Sequence, residues 1–345
     1  MKSLAVKYRP KTFDDIVSQE YIKIILLKQI EKNNISNSYL FSGPSGTGKT
    51  TLSKVFASLI NKGKGSPIEI DAASHNSVDN IREIIEDANL RSIDSEYKIF
   101  ILDEAHAITT QGWQAFLKTL EEPPEKTIFI FCTTNPEKIP ATIQNRVMRF
   151  NLTKIPTPLI KDRLLDICKK ENIIDNEDCC DYIAKLSNGG MRDAISYLEK
   201  VSEFSRNLKI ENIVNILGSY NTKELLSLTN YIIDSNQAET IKLLDSIENE
   251  GKSLKLFVDE YLKCVLNLTN YCMFHDISLT TFPTYLEEDI KYTISFDKNK
   301  EAFNLIVENL LDLKFQIKYD NNYNIVVKAY FVKILKEVRE LWENI

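Results

Sequence analysis

Gly43-Pro44-Ser45-Gly46-Thr47-Gly48-Lys49-Thr50 has the residue types and spacing to hold a polyphosphate. Three glycines let the backbone turn tightly and aim its N–H groups at an anion. A helix expected over Thr50 to Ile60, with Thr51 in its first turn, adds the positive end of its dipole. Lys49 then reaches the β- and γ-phosphates, and the Thr50 hydroxyl completes a Mg²⁺ shell. The second reactive stretch is Lys98-Ile99-Phe100-Ile101-Leu102-Asp103-Glu104, an apolar run closed by two carboxylates. Such a run reads as a central parallel strand, and ligands sit at the C-terminal ends of these strands. Asp103 is placed to hold Mg²⁺ through its water shell, and Glu104 to orient or deprotonate a water facing the γ-phosphate. Ala105-His106 follows, and His106 reads equally as a relay of nucleotide state or as a structural histidine.

These residues need a frame. Tyr39-Leu40-Phe41 is a short strand directly before the glycine-rich loop, and Thr127 to Cys132 is another buried strand with Thr133-Thr134-Asn135 at its tip. A further short strand is expected at Ile68 to Ile70. Helices are expected at Gln19 to Glu31, Val78 to Leu90 behind a Ser77 cap, and Thr109 to Leu120, which Pro123-Pro124 stops. Alternation of this kind up to about Phe150 predicts a mostly parallel α/β domain. Leu4 to Ile16 reads as an extended arm, because Pro10 forbids a helix through it. Tyr8 and Arg9 on that arm either flank a base or simply pack.

Thr153 to Pro158 reads as a linker. Beyond it, helices are expected at Leu159 to Lys170, Asp178 to Leu186, Met191 to Phe204 and Ile210 to Leu217. Longer amphipathic helices follow at Thr222 to Ile233, Ala238 to Glu248, Ser253 to Cys272, Lys298 to Phe315 and Tyr323 to Trp342. Their apolar stripes suit a helical core or a partner subunit. The expected domains are therefore 1–152, 153–218 and 219–345.

Composition is that of an ordinary globular protein, 43% hydrophobic and 27% charged over 345 residues. The net charge of −6 gives no sign of a nucleic-acid binder and excludes none. No apolar run approaches the ~20 residues of a membrane span, and the first residues lack a signal-peptide core. The six cysteines show no metal-ligand spacing and suit free thiols in a reducing cytoplasm, with no zinc expected.

Further segments carry a resemblance: Tyr8-Arg9-Pro10-Lys11-Thr12-Phe13, Val17-Ser18-Gln19-Glu20, Glu69-Ile70-Asp71-Ala72-Ala73-Ser74, Leu117-Lys118-Thr119-Leu120-Glu121-Glu122-Pro123-Pro124, Thr133-Thr134-Asn135-Pro136 and Gly190-Met191-Arg192-Asp193. With the two reactive stretches, they resemble the clamp-loader branch of the AAA+ ATPases, specifically the gamma/tau-type subunits of bacterial DNA polymerase III. The likeness covers about residues 4–215. It implies an AAA+ phosphate-loop domain, a small helical lid and an all-α C-terminal collar through which several copies, a pentamer in this family, form a ring.

It further implies ATP and Mg²⁺ as ligands, with a sliding clamp, primer–template DNA and other loader subunits as partners. Thr134 falls on the first sensor position, touching the γ-phosphate, and Arg192 on the second, where the lid returns to the same nucleotide. Arg146 falls on the arginine finger that serves the neighbouring subunit's ATP, and Tyr8, Arg9, Pro10 and Val17 fall beside the adenine. Ser74 to Asn80 with Arg82, and Thr109 to Gln111, match the DNA-facing positions.

Departures are Asn145-Arg146-Val147 for the family's Ser-Arg-Cys, Ser18 for a glycine, no cysteine-rich zinc module, and an end before the extensions of tau. That economy is expected of a compact or virus-encoded loader. Two other readings stay open: another AAA+ enzyme of branch migration or helicase loading, and a loader subunit that binds nucleotide without hydrolysing it.

Overall fold

The computed structural model describes residues 3–174, 177–217, 220–250, 252–282, 286–296, 301–318 and 323–343. They divide into two compact units, Met1–Asn207 and Leu208–Ile345.

In the first unit, unbroken apolar runs become a five-stranded parallel sheet. Its strands are β1 (Ser38–Ser42), β2 (Ile68–Asp71), β3 (Lys98–Asp103), β4 (Thr127–Thr133) and β5 (Met148–Asn151), in the order β2-β3-β4-β1-β5. Register sets Leu40 of β1 and Leu102 of β3 on either side of Phe131 in β4. Alternation then feeds two cores. Tyr39, Phe41, Ile99, Ile101 and Ile130 face one side, packed against α2 (Glu20–Glu31) and α3 (Lys49–Ile60) through Leu26, Leu52 and Phe56. Phe100, Leu102, Phe129 and Phe131 face the other, under Ile81 and Ile84 of α4 (Val78–Ala88) and Trp113 and Phe116 of α5 (Thr110–Glu121). Both faces are covered, which is why β1 and β4 are buried throughout.

Four expectations need correction. The arm is not wholly extended: Leu4–Lys7 forms a one-turn helix, α1, which ends three residues ahead of Pro10. The sheet has a fifth strand, β5, after the short α6 (Ala141–Gln144). Three of the four β5 residues are exposed, so it lacks the apolar run that marked β3 and β4. The linker is shorter than expected, because α7 (Thr157–Glu171) takes Pro158 into its first turn, where no N–H is required. α8 (Glu177–Leu186) and α9 (Met191–Phe204) complete this unit. The Lys298 start expected for a later helix lies outside the described residues, as does the domain boundary at 218/219.

The second unit is helical: α10 (Ile210–Leu217), α11 (Thr222–Ile233), α12 (Gln237–Asn249), α13 (Leu254–Phe274), α14 (Glu287–Phe296), α15 (Glu301–Gln316) and α16 (Tyr323–Glu343). Of these, α14 had no counterpart among the expected helices. The stripe Phe257, Tyr261, Val265 and Leu268 of α13 packs into one core with Phe303 and Leu310 of α15 and Phe331 of α16. Tyr261 is fully buried, pairs its hydroxyl with Thr229 at 3.2 Å and has its pKa driven far up by desolvation.

Candidate functional site

The loop after β1 is shaped by backbone that only glycine allows. Gly43 has φ +145°, and a Cβ there would lie 2.3 Å from the Leu152 carbonyl oxygen. Gly48 has φ +98° and, with nothing within 4 Å of its missing Cβ, leaves open space where α3 begins. Lys49 is 7% exposed and lies beneath the loop, donating to the carbonyls of Gly43 and Pro44 at 2.8 Å each. Burial pulls its pKa below the usual lysine value, and the charges of Glu104 and Asp103 oppose that shift. Thr47 ties the loop internally, its hydroxyl donating to the Pro44 carbonyl at 2.8 Å.

At the end of β3, Asp103 accepts the Thr50 hydroxyl at 2.7 Å and the Glu104 N–H at 3.0 Å. The chain then turns through a left-handed Glu104, φ +49°, an uncommon conformation for a residue with a side chain. Its carboxylate is met by His106 Nδ1 at 3.2 Å and by the Thr134 hydroxyl at 3.4 Å. His106 Nδ1 also lies 3.2 Å from the Thr133 hydroxyl. Thr134, expected at a γ-phosphate, is here turned to the carboxylate that would share it.

These groups border a cavity of about 290 Å³. Ser45 to Thr51 line one wall; Asp103, Glu104, Thr134 and Arg192 line the phosphate end; Tyr8, Arg9, Pro10 and Val17 line the other. Gly43 and Pro44 contribute through the carbonyls that hold Lys49. Arg146 alone of the expected residues with a side-chain role stands apart. It is absent from the lining, and its guanidinium bonds the Thr142 carbonyl at 2.7 Å and the Glu121 carboxylate.

Sequence reasoning missed the lid's share. Ile155, Arg163, Met191 and Ile195 also line the cavity, three of them from α7 and α9. Gly190 lets α9 start against the loop: the Met191 N–H donates to the Gly46 carbonyl at 3.0 Å, and a Cβ on Gly46 would lie 2.9 Å from the Gly190 Cα. The arm is moored to the same helices. The Leu4 N–H donates to Glu199 on α9 at 2.9 Å, and Lys7 and the Tyr8 hydroxyl both reach Glu171 on α7. Desolvation, then the Glu171 bond, pushes the Tyr8 hydroxyl up to about 12. Glu171 is held below the ordinary carboxylate range, first by Lys7 and then by Tyr8.

The sheet, the glycine loop, the Asp-Glu strand end and the helical lid define an AAA+ nucleotide-binding fold. The Thermotoga maritima RuvB Holliday junction branch migration motor shares it with a TM-score of 0.53 at 16% identity, covering 75% of this chain and 90% of that one. A family model described as DNA polymerase III, delta subunit, matches residues 66–156. The DNA polymerase III subunit gamma/tau of Mycoplasma genitalium is 36% identical, covering 86% of this chain and 53% of its own length. The subunit gamma of Buchnera aphidicola is 29% identical, covering 97% of this chain and 98% of its own. The chain thus spans about half the length of the Mycoplasma relative. Within the AAA+ class the chain is similar to the gamma/tau subunits of bacterial DNA polymerase III. No helix among the described residues is long and apolar enough to cross a membrane. All six cysteines are buried and stand outside any disulfide.

Proposed function

We propose that the chain is an ATPase subunit of a DNA sliding-clamp loader. The observation that carries this reading is the convergence of Lys49, the Thr50–Asp103 pair and Glu104 on one cavity, in a chain related to gamma/tau subunits. The fit to a magnesium nucleotide rests on chemistry: the paired hydroxyl and carboxylate are hard oxygen donors, which suit that ion. Thr50 and Asp103 would hold the magnesium, which would supply charge neutralisation to the polyphosphate.

Lys49 carries three N–H donors, two of them on Gly43 and Pro44 carbonyls, and a polyphosphate offers stronger, charged acceptors for the same hydrogens. Glu104 is the carboxylate to align and deprotonate water, once its contacts to Thr134 and His106 give way. Arg192 adds a cation from the lid, and Arg146 serves the ATP of the neighbouring protomer. ATP-bound protomers, five in the ring this family suggests, would open the clamp and enclose primer–template DNA; hydrolysis would release it. For DNA the supporting feature is a pair of helix starts. Ser77 caps α4 and Thr109 caps α5, and the Thr109 N–H donates to the Asn76 carbonyl at 3.3 Å, so two positive helix ends sit together.

The test is Glu104→Gln. This variant should bind ATP as the parent does and hold a ring-shaped processivity factor through purification in ATP but not in ADP. Turnover should fall by about 10²–10⁴-fold. Normal hydrolysis by Glu104→Gln would remove that residue's role, and indifference to the ring factor would remove the clamp.

A further inference from the structure

We infer that Glu121 is a positioning residue for Arg146, fixing its guanidinium for use by a neighbouring protomer; this rests on the trans role proposed for Arg146. Three bonds hold Arg146 besides the 2.9 Å bond from its own N–H to the Ile143 carbonyl. Its carbonyl accepts the Ser38 hydroxyl of β1 at 3.0 Å, which pins its backbone to the sheet. Its Nη1 donates to the Thr142 carbonyl of α6 at 2.7 Å, and its Nη2 pairs with Glu121, the last residue of α5.

Arg146 therefore sits between the ends of two helices with one guanidinium edge occupied. An arginine has five N–H donors, so three remain for an acceptor outside the chain. The side chain is 35% exposed and that of Glu121 51%, so solvent screens the pair and it contributes little to folding. What it supplies is orientation. A free arginine samples many rotamers, whereas a fork held at one edge presents its other donors in one plane. Glu121 belongs to the Leu-Lys-Thr-Leu-Glu-Glu-Pro-Pro stretch, where Pro123 and Pro124 follow the helix end and set where its last carboxylate points.

The experiment measures ATP turnover of the full chain assembled with its partner subunits, clamp and primed DNA. Glu121→Ala should lower kcat roughly tenfold, because a misdirected group costs rate rather than binding, and leave KM for ATP unchanged. Glu121→Gln, which keeps an acceptor without the charge, should fall between Glu121→Ala and the parent. The decisive variant is the double substitution. With Arg146→Ala in place, Glu121→Ala should lower kcat no further, a non-additivity that a merely structural role would not give. A Glu121→Ala rate at or above the parent's, or a further loss in the double variant, overturns the positioning role. Arg146→Ala alone separates the two ideas. If it is slow while Glu121→Ala is normal, only the Glu121 assignment fails. If it is itself normal, the trans role fails and takes this inference with it.

Discussion

Lys49 and Arg146, two cations assigned to one reaction, are housed in opposite ways. Lys49 is buried at 7% exposure under its own loop, bonded to backbone carbonyls and partly stripped of the solvent that favours its charge. Arg146 stands at the surface outside the cavity, bonded by a carbonyl and a carboxylate of its own chain. The first arrangement makes a phosphate site complete within one protomer. The second keeps a charge outward, where only another molecule can use it. On the proposed function, nucleotide capture would be a property of one protomer and fast turnover a property of assembly.

Substituting each cation in turn breaks this contrast most sharply. Lys49→Ala should abolish ATP binding by the isolated chain in a fluorescent-nucleotide titration. Arg146→Ala should bind as the parent does, yet lose ~10³-fold or more in turnover once assembled. Equal damage to binding from both would erase the distinction.

Alkaline titration sharpens it next. The free site disfavours the charged form of Lys49, whereas a polyphosphate favours it, so binding takes up a proton wherever Lys49 has begun to lose its own. Nucleotide affinity should therefore fall as pH rises, starting below the ordinary lysine range. Affinity that stays flat until that range would show Lys49 to be no more desolvated than an exposed lysine.

The smallest effect concerns Ser18, beside Val17 at the far end of the cavity. Ser18 adopts φ +70°, a left-handed conformation that costs a side-chain-bearing residue roughly 1–2 kcal/mol. Glycine's looser unfolded chain returns ~0.4–1 kcal/mol of that. Ser18→Gly should stabilise the protein by about 0.5–1 kcal/mol in urea unfolding, with nucleotide affinity unchanged.

Legibility in the sequence followed locality. The loop around Lys49 and the strand ending in Asp103-Glu104 were readable because each is a contiguous string whose function depends on backbone turn and burial. Ser18 was visible only as a departure, and its φ explains why a glycine suits that place. β5 escaped because an edge strand with Arg149 exposed and Phe150 buried has no apolar run to betray it. The roles of Arg163, Met191 and Ile195 escaped for another reason. Helical periodicity tells which face is inward but not whether core or cavity lies there, and only the close approach of Gly190 to Gly46 brings that face to the loop.

The anchorage of the arm has a mechanical consequence. Leu4, Lys7 and Tyr8 are tied to Glu199 and Glu171, so the segment facing the base end answers to α7 and α9 rather than to the sheet. With Met191 bonded to Gly46, the same pair of helices grips the opposite end as well. On the proposed function, a tilt of that pair would work like a single jaw on both ends of the cavity.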